Sequence, residues 1–523
     1  MGNSFVKGAI IITIATFVSK LLGSAFRIPL QNIAGDEVFG LFNAVYPVYM
    51  IALILSVAGI PIAISKLISE QRAKNDEQAI HEIFASASII GLIFGFVSFL
   101  FMFIFSEVIA TAIGMSSTRL AVAVVSSTLI LAPYMAVYRG FFQGYEDMRP
   151  TAVSQVLEQF VRVTLVLVIA YILVLQNHES EIIAGWIMLS SIAGVTVSLI
   201  YLRFKYSRFI KSVPAYQKLT WDKFRSWSSV ILRLSLPVAF GALNMALLNM
   251  IDSLTIPHAL KWYGYEGSAV TEQFSIYSRG LTLVQIAVVF SSAVILPLIP
   301  KISKATTENN WNEANNYIGR SLKLAHLISW PAAVGLLALT LPLNLALFTD
   351  LEGSHVLAVL HFSSLFTSFT VLTTGILQGL NRANVAAIII LMSAVLKAIL
   401  NLWLIPSYDL IGAAWATLIV YIVITVLNVI FILTVTKYPL NNYGKLIMMV
   451  SSVIMGVCLV LPLKWINIEE WTRIDAVIYT LIAVPIGGIV YSIIVLGGKG
   501  LQTDELRGIP VLGPILCKIL KLR

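Results

Sequence analysis

The chain has 523 residues, of which 58% are hydrophobic and only 12% are charged. This composition excludes a soluble globular protein and identifies a polytopic membrane protein. Its 35 Lys and Arg against 26 Asp and Glu give a formal net charge of +9. That excess does not predict a nucleic-acid partner, because most of it lies in loops expected to face the cytoplasm.

Fourteen apolar stretches are each long enough, at about twenty residues, to cross a membrane as a helix. The first six lie at 8–33, 39–64, 82–106, 120–143, 151–175 and 182–203. The other eight lie at 229–254, 276–300, 318–346, 356–379, 384–405, 410–435, 444–464 and 474–497. The sequence therefore predicts an all-α polytopic membrane protein with about 14 transmembrane helices.

The distribution of Lys and Arg predicts the orientation, because short cytoplasmic loops retain positive charge. With a cytoplasmic N-terminus, the inside segments and the span ends next to them hold 25 of these residues, and the outside loops with their adjoining span ends hold four. The first apolar run is too long for a cleaved signal peptide and lacks a small-x-small cleavage site. We expect a multi-pass protein of the cell membrane with both termini in the cytoplasm.

The first span carries two cations, Lys20 and Arg27, in the stretch SKLLGSAFRIPL. A cation at the centre of a membrane helix costs about 2.5–3.5 kcal/mol on insertion scales. Residues seven apart on a helix point within about 20° of each other, about 10 Å apart along the axis. We therefore predict a cationic stripe that binds an anion such as a diphosphate. The alternative is that the two side chains snorkel towards opposite interfaces.

An internal repeat relates the two halves of the chain. Residues 139–162 can be laid over residues 374–397 at a constant offset of 235 positions, with G-[FI]-[FL]-Q-G in both copies and a final cation, Arg162 or Lys397. An even number of helices lies between the copies, so the repeat is parallel, as in alternating-access transporters built from two bundles. Chance recurrence of Q-G turns is the alternative.

The repeat and a basic segment together suggest the domain organisation. We predict an N-lobe at 1–204 with spans one to six, a basic cytoplasmic linker at 205–228, and a C-lobe at 229–437 with spans seven to twelve. The two six-helix lobes are pseudo-symmetric. Spans thirteen and fourteen, at 438–498, lie outside the repeat, and residues 499–523 read as a basic amphipathic tail on the inner leaflet.

Further charged residues inside the spans are candidates for function. Glu158 and Arg162 are four residues apart in span five, which predicts a structural or gating ion pair, with substrate contact as the alternative. We assign Lys397 in span eleven to the same structural or gating class. Arg279 opens span eight, where Tyr277 and Gln285 would join it in lining a cavity. An interfacial anchor is the alternative for Arg279.

Asp252 closes span seven after Asn249, and Asn401 lies one turn after Lys397 in span eleven. The carboxylate could pair with Lys397, titrate as a proton site, help bind a cation, or face exterior solvent. We treat Asp252, Asn249 and Asn401 as candidates for ion coupling.

Enzyme motifs are missing from the sequence. It contains no H-E-x-x-H and no G-x-x-x-x-G-K-[ST], and its two cysteines, Cys458 and Cys517, are too far apart in the topology to pair. We therefore predict a protein that is not an enzyme and has no cofactor and no metal site, with sodium or a proton left open as a coupling ion.

Three stretches resemble a known family. SKLLGSAFR in span one, AGIPIAISKLISE at the end of span two, and YRGFFQGYEDMRPTAVSQVLEQFVRV across spans four and five are similar to the polysaccharide exporter branch of the multidrug/oligosaccharidyl-lipid/polysaccharide exporter superfamily. The likeness is greatest to the stage V sporulation protein B group, which is related to the lipid II flippases, and it covers nearly the whole chain.

The resemblance implies two lobes around a cationic cavity, with the last two helices forming a groove for a lipid tail. In the lipid II flippases cavity arginines occur in span one and span eight, and Lys20, Arg27 and Arg279 look like their counterparts. Lys replaces the first arginine, and one extra residue separates the span-one pair. Some members bind sodium near spans seven, eleven and twelve; here the ammonium of Lys397 could take the place of the ion.

The sequence thus predicts an alternating-access flippase for a polyprenyl-diphosphate-linked saccharide, with a peptidoglycan precursor as one candidate cargo. Membrane lipids are expected partners, and cell-wall synthesis proteins are a further candidate class. An ion-coupled multidrug or metabolite antiporter is the main alternative, although it would be expected to have twelve spans and an acidic first lobe. A scaffold that recruits cell-wall enzymes is the third interpretation.

Overall fold

The structure is a computed structural model that describes residues 2–210, 218–436, 443–498 and 500, and within these residues it contains helices and no strands. The first ten helices are α1 (Gly2–Ala25), α2 (Arg27–Val57), α3 (Ile60–Ala73), α4 (Glu77–Ile104), α5 (Ser106–Ile113), α6 (Arg119–Ser126), α7 (Thr128–Gly144), α8 (Met148–Leu175), α9 (Ser180–Ile187) and α10 (Leu189–Ile210). The remaining helices are α11 (Trp221–Ala242), α12 (Asn244–Tyr263), α13 (Ser268–Ile295), α14 (Ile299–Thr307), α15 (Trp311–Ala338), α16 (Thr340–Phe348), α17 (Ser354–Gly379), α18 (Ala383–Tyr408), α19 (Leu410–Val435), α20 (Tyr443–Val460) and α21 (Arg473–Gly497). The predicted all-α fold is confirmed.

Polar side chains at the turns set where several long helices begin. The Asp76 carboxylate accepts a hydrogen bond from the Ala79 amide at 2.9 Å at the start of α4. At α15, the Asn310 side chain accepts one from the Glu313 amide at 3.2 Å. These caps satisfy amides that have no partner within the helix, so the chain can leave one span and enter the next within a few residues.

Twelve helical stretches of the described chain are long and apolar enough to cross a membrane. One of them, 11–73, covers most of the first predicted span and all of the second, because the helical stretch continues through the bend at Gly35, where φ is +78°. The predicted seventh span, 229–254, is not among the twelve. It is divided at Leu243 between α11 and α12, and Arg233 and Asp252 lower its hydropathy.

The backbone repeats itself at the offset that the sequence repeat predicts. Seven non-glycine residues and five glycines of the described chain have a positive φ, and ten of these positions form five pairs separated by 232 to 235 residues. The pairs are Gly35 and Gly267, Asn75 and Asn309, Gly114 and Thr349, Glu146 and Asn381, and Asn177 and Asp409. Left-handed residues are rare outside turns, so chance does not explain this series. The prediction of two pseudo-symmetric halves is confirmed.

By its internal contacts the chain separates into two compact units. The first comprises Met1–Thr282 and Ile390–Ala416, and the second comprises Leu283–Ile389 and Thr417–Arg523. The first has a core of aromatic and aliphatic side chains from α3, α4 and α7, in which the ring of Phe84 stacks on Tyr206 at 4.4 Å. The second has a core in which Ile318 of α15 and Leu365 of α17 are fully buried.

The predicted lobe limits at 204, 229 and 437 stay predictions. Part of the predicted linker, residues 211–217, lies outside the described residues, as do residues 437–442. The same holds for 499 and for 501–523, so the predicted amphipathic tail is not described apart from Gly500.

Candidate functional site

The two cations of the first span lie on either side of Phe26, where α1 meets α2 and the backbone stays helical, with φ −63° and ψ −19°. Lys20, on α1, is exposed, and none of the described residues forms a hydrogen bond or ion pair with it. Arg27 opens α2 and is only 7% exposed, with its guanidinium carbon 5.4 Å from the ring centre of Tyr46. In a straight helix Arg27 and Tyr46 would be about 28 Å apart along the axis. The chain therefore folds back at Gly35, and the arginine stacks on the returning helix.

The residue after this bend, Asp36, holds the predicted cavity residue Arg279 of α13. The guanidinium donates from Nε to Oδ1 at 2.9 Å and from Nη2 to Oδ2, which is a two-point contact. Ser275, one turn earlier on α13, donates to Oδ1 at 2.5 Å, and Gln31 donates to Oδ2 at 3.2 Å. The Arg279 side chain is fully buried, while that of Asp36 is 25% exposed. The carboxylate thus balances a charge that burial would otherwise make costly.

A second buried network surrounds Asp252 of α12. Lys397 of α18 donates to Oδ2 at 2.6 Å, and Tyr277 of α13 donates to the same oxygen at 2.9 Å. Asn401, one turn after the lysine, donates to Oδ1 at 3.1 Å and also contacts the hydroxyl of Thr255 at 2.8 Å. The lysine and aspartate side chains are only 1% and 2% exposed. Asp252 therefore does not face exterior solvent, and an ammonium ion stands beside it.

The third network joins α7, α8 and α10 through Glu158. Arg162 donates to Oε1 at 2.8 Å, which is the i,i+4 pair that the spacing predicts. Arg139 donates from Nη2 to Oε2 at 2.7 Å. It also donates to the hydroxyls of Ser154 at 3.0 Å and Ser198 at 3.3 Å. One carboxylate therefore meets two guanidinium groups, and the local net charge is positive.

Two predicted site residues lie apart from these networks. Gln285 is half-buried on α13, six positions beyond Arg279, and belongs to the second unit. Asn249 is half-buried on α12, where its carbonyl oxygen accepts a hydrogen bond from Ser253 at 3.3 Å. Over the described residues, no group of three or more His, Cys, Asp or Glu side chains could hold a metal ion.

Sequence reasoning missed two members of these networks and one contact of a third. Asp36 lies in a segment that we expected to be an exterior loop, and its signal was an acidic residue directly after a turn glycine. Arg139 is part of the RGFFQG motif, but its partners come from other helices. Tyr277 was predicted to line a cavity with Arg279, but no local spacing connects it with Asp252.

Comparison with known proteins gives these networks a family context. The model of a family described as polysaccharide biosynthesis protein matches residues 5–305, which is more than half of the chain. The chain belongs to this family. A second family model, MatE, matches residues 237–403. The family resemblance inferred from spans one, two, four and five is thereby confirmed.

Three proteins of Bacillus subtilis are similar to this protein over nearly the whole of its chain. The uncharacterized membrane protein YabM is 30% identical, covering 99% of this chain and 97% of its own. Lipid II flippase MurJ is 26% identical, covering 94% and 95% respectively. Stage V sporulation protein B is also 26% identical, covering 99% of both chains.

The solved structures show how widely the family fold is shared. A structure of lipid II flippase MurJ in an inward closed conformation matches with a TM-score of 0.66 and 16% identity, covering 93% of this chain and 98% of the other. A multidrug resistance MATE family transporter in an inward-facing conformation matches with a TM-score of 0.61, covering 80% of this chain. At these identities the likeness establishes the fold alone.

Proposed function

We propose that the protein is a flippase that moves a polyprenyl-diphosphate-linked saccharide from the inner to the outer leaflet of the cell membrane by alternating access. Its relatives named as lipid II flippase and stage V sporulation protein B cover almost all of the chain. A third relative, from Haloferax volcanii, is named a probable low-salt glycan biosynthesis flippase and is 27% identical over 46% of the chain. The two names that include the word flippase refer to lipid II and to glycan biosynthesis, and a lipid-linked saccharide is the cargo class that fits both.

The observation that carries the proposal is the environment of Lys20. Lys397, Arg279 and Arg162 each have a carboxylate partner at membrane depth. Lys20 is exposed within the apolar stretch 11–73, with no ion-pair or hydrogen-bond partner among the described residues. A charge at this depth is costly unless a ligand uses it, and a diphosphate is a suitable counterion. Lys20 would bind the diphosphate, with Arg27 and Arg279 supporting it.

The test is charge reversal in a strain that depends on this protein. Lys20→Glu should abolish flipping, so that the polyprenyl-linked intermediate accumulates on the inner leaflet while the protein level stays normal. Lys74→Glu is the matched control, because Lys74 is an exposed lysine of the same unit that ends α3. A Lys20→Glu variant with normal flipping would remove this lysine from the substrate site. Failure of any polyprenyl-linked lipid to accumulate on depletion would overturn the flippase itself.

The driving force is a separate part of the proposal. The protein would use the membrane potential or an ion gradient, with sodium and the proton as candidate ions. The ammonium of Lys397 lies 2.6 Å from Asp252 and would compete with a coupling cation for that carboxylate. Flipping by reconstituted protein, measured with and without sodium at fixed pH and potential, distinguishes the two ions. Equal flipping rates with and without sodium would exclude sodium and leave the proton gradient or the membrane potential as the driving force.

An ion-coupled multidrug or metabolite antiporter is the second candidate, favoured by the MatE match over residues 237–403. Depletion of a flippase should leave the accumulation of cationic dyes in the cell unchanged. Depletion of an antiporter of the multidrug class should raise that accumulation. Dye retention measured in the depletion strain therefore separates the two functions.

A further inference from the structure

One face of α8 carries four polar side chains at membrane depth. They recur at positions i, i+3, i+4 and i+7, so they share one side of the helix. They are Gln155, Glu158, Gln159 and Arg162. Glu158 and Arg162 belong to the third network, and among the described residues no hydrogen bond links the two glutamines to it. The glutamines therefore need an explanation of their own, because polar side chains in an apolar span are costly.

Two contacts show which side of α1 faces these glutamines. The hydroxyl of Thr16 donates to Oε1 of Gln155 at 3.3 Å. Seven residues further along α1, a Cβ atom added to Gly23 would lie 3.0 Å from Nε2 of Gln159. The missing side chain of Gly23 thus leaves room for the carboxamide directly against α1. The side of α1 that contains Thr16 and Gly23 faces the glutamines.

Lys20 lies on this same side of α1. At 100° per residue, it is about 40° from Thr16 and about 60° from Gly23 around the helix axis. Along the axis it lies between them, about 6 Å from the first and about 4.5 Å from the second. The two glutamines are four residues apart on α8 and so are about 6 Å apart along that helix. The exposed ammonium of Lys20 and the two carboxamides therefore border one polar region between α1 and α8.

The two carboxamides have hydrogen-bonding capacity that the protein does not use. Each has two N–H donors and an oxygen acceptor. Gln155 accepts the bond from Thr16, but among the described residues neither its Nε2 nor any side-chain polar atom of Gln159 has a hydrogen-bond partner. Both glutamines are half-buried, and these atoms keep some accessible surface. A ligand that pairs them would remove the cost of leaving them unpaired in the membrane.

Helix packing explains only one of the two glutamines. A hydrogen bond such as that between Thr16 and Gln155 is typical of helix–helix contacts in membranes. Gln159 forms no such bond with the described residues. Its carboxamide lies against a glycine, where a side chain that only packs would be apolar.

A sugar ring has the hydrogen-bonding chemistry that matches these carboxamides. A sugar hydroxyl both donates and accepts, as a carboxamide does, whereas the oxygens of a diphosphate only accept. Lys20 would meet the charge of the cargo, and the neutral amides would meet the neutral groups beside that charge. The spacing of about 6 Å between the glutamines along α8 suits a single sugar ring.

We propose that Gln155 and Gln159 bind the first sugar of the cargo, the one attached to the diphosphate. They would thereby select a saccharide-bearing lipid over the bare polyprenyl diphosphate. This inference rests on the proposed flippase function and on the place of Lys20 at the diphosphate. It assigns a substrate contact to two residues outside the Glu158–Arg162 pair.

The test compares two probes that differ by one sugar, undecaprenyl diphosphate and undecaprenyl-diphosphate N-acetylglucosamine. Each probe is titrated against the full-length protein in detergent, and its affinity is measured by microscale thermophoresis. Gln159→Met should weaken binding of the sugar-linked probe about threefold to tenfold and leave binding of the bare diphosphate unchanged. Gln155→Met/Gln159→Met should weaken binding of the sugar-linked probe further. Equal weakening for both probes, no weakening for either, or equal affinity of the unmodified protein for both would overturn the sugar contact.

A matched control and a stability measurement guard against misfolding. Gln176→Met/Gln378→Met replaces two exposed glutamines and should leave the affinity for both probes unchanged. Gln159→Met removes no hydrogen bond among the described residues and conserves volume, so it should keep the midpoint of thermal unfolding. A clear fall in that midpoint would show that Gln159 packs within the protein and would overturn its assignment to the ligand.

Lys20→Glu separates this inference from the proposed function. It should weaken binding of both probes, because both contain the diphosphate. If it weakens neither, while the glutamine variants lose only the sugar-linked probe, the diphosphate site at Lys20 is wrong and the sugar contact stands. If the unmodified protein binds neither probe, the proposed cargo class is wrong, and the sugar contact is wrong with it.

Discussion

At the scale of single residues, the described networks balance charge within the membrane by sharing carboxylate oxygens. Asp252 accepts from a lysine, a tyrosine and an asparagine, and Asp36 accepts from an arginine, a serine and a glutamine. Each carboxylate therefore has several donors from different parts of the chain. Removing the cation leaves a buried negative charge that neutral donors compensate only in part.

Lys397→Met should lower the free energy of unfolding by about 3–5 kcal/mol, because it leaves the Asp252 carboxylate buried without a cation. Thermal unfolding in detergent, followed by tryptophan fluorescence, measures the change. The double variant Asp252→Asn/Lys397→Met should be more stable than Lys397→Met alone, since it removes both charges. If the double variant is the less stable of the two, the pair does not behave as a buried ion pair.

Asp36→Asn should reduce both heat stability and flipping, because it leaves the guanidinium of Arg279 buried without its two-point partner. Adding Arg279→Gln should restore heat stability in part by removing the second charge. It should not restore flipping, because the proposed substrate contact is then also absent. Recovery of flipping in the double variant would show that Arg279 has only a structural role.

At the level of residues, the sequence predicts those contacts that are made within one helix. The Glu158–Arg162 pair follows from the i,i+4 spacing, and the structure contains it at 2.8 Å. The contacts of Asp36, Arg139 and Tyr277 depend on which helices become neighbours, so no spacing predicts them. The cationic stripe of Lys20 and Arg27 stays a prediction, and the structure shows only that Lys20 is exposed whereas Arg27 is buried near Tyr46.

At the scale of helices, small residues allow the charged networks to assemble. A Cβ atom added to Gly194 of α10 would lie 2.6 Å from the carbonyl oxygen of Glu158 and 3.4 Å from Cβ of Arg162. Only glycine therefore permits α10 to approach α8 at the ion pair. The contact brings Ser198 of α10 within 3.3 Å of the Arg139 guanidinium.

Gly194→Ala should cost about 1–3 kcal/mol of stability, because the new methyl group forces α8 and α10 apart. Gly241→Ala is the matched control, since a Cβ there meets nothing within 4 Å and alanine favours the helix. Its effect should be neutral or stabilising by about 0.5–1 kcal/mol. Circular dichroism melts of both variants measure the difference, and equal destabilisation would contradict a specific close approach.

Helix-level prediction succeeded where hydropathy was strong and uninterrupted. The offset of 235 residues found in sequence letters returns in the positive-φ pairs, which are a property of the turns. Span seven was predicted as one helix, and α11 and α12 meet within it at Leu243, whose backbone stays helical with φ −70° and ψ −16°.

At the scale of the whole molecule, the cytoplasmic location of both termini stays a prediction, and cysteine labelling tests it directly. In a variant without Cys458 and Cys517, a cysteine at Trp262 should react with an impermeant maleimide in intact cells, because it is exposed in a predicted exterior loop. A cysteine at Lys205 should react only after permeabilisation, because it is exposed on the predicted cytoplasmic side. The reverse pattern would place both termini outside.

One turn of α13 is held from opposite sides. Ser275 and Arg279 are four residues apart and face Asp36, whereas Tyr277 points about 200° away from each of them and reaches Asp252. Rolling or sliding of α13 at this turn would break hydrogen bonds to both carboxylates at the same time. Tilting with the turn as the fixed point keeps every bond in place. Residues 275–279 therefore tie α13 to α2 and to α12 at a single turn, so that a change at either carboxylate acts on the same five residues.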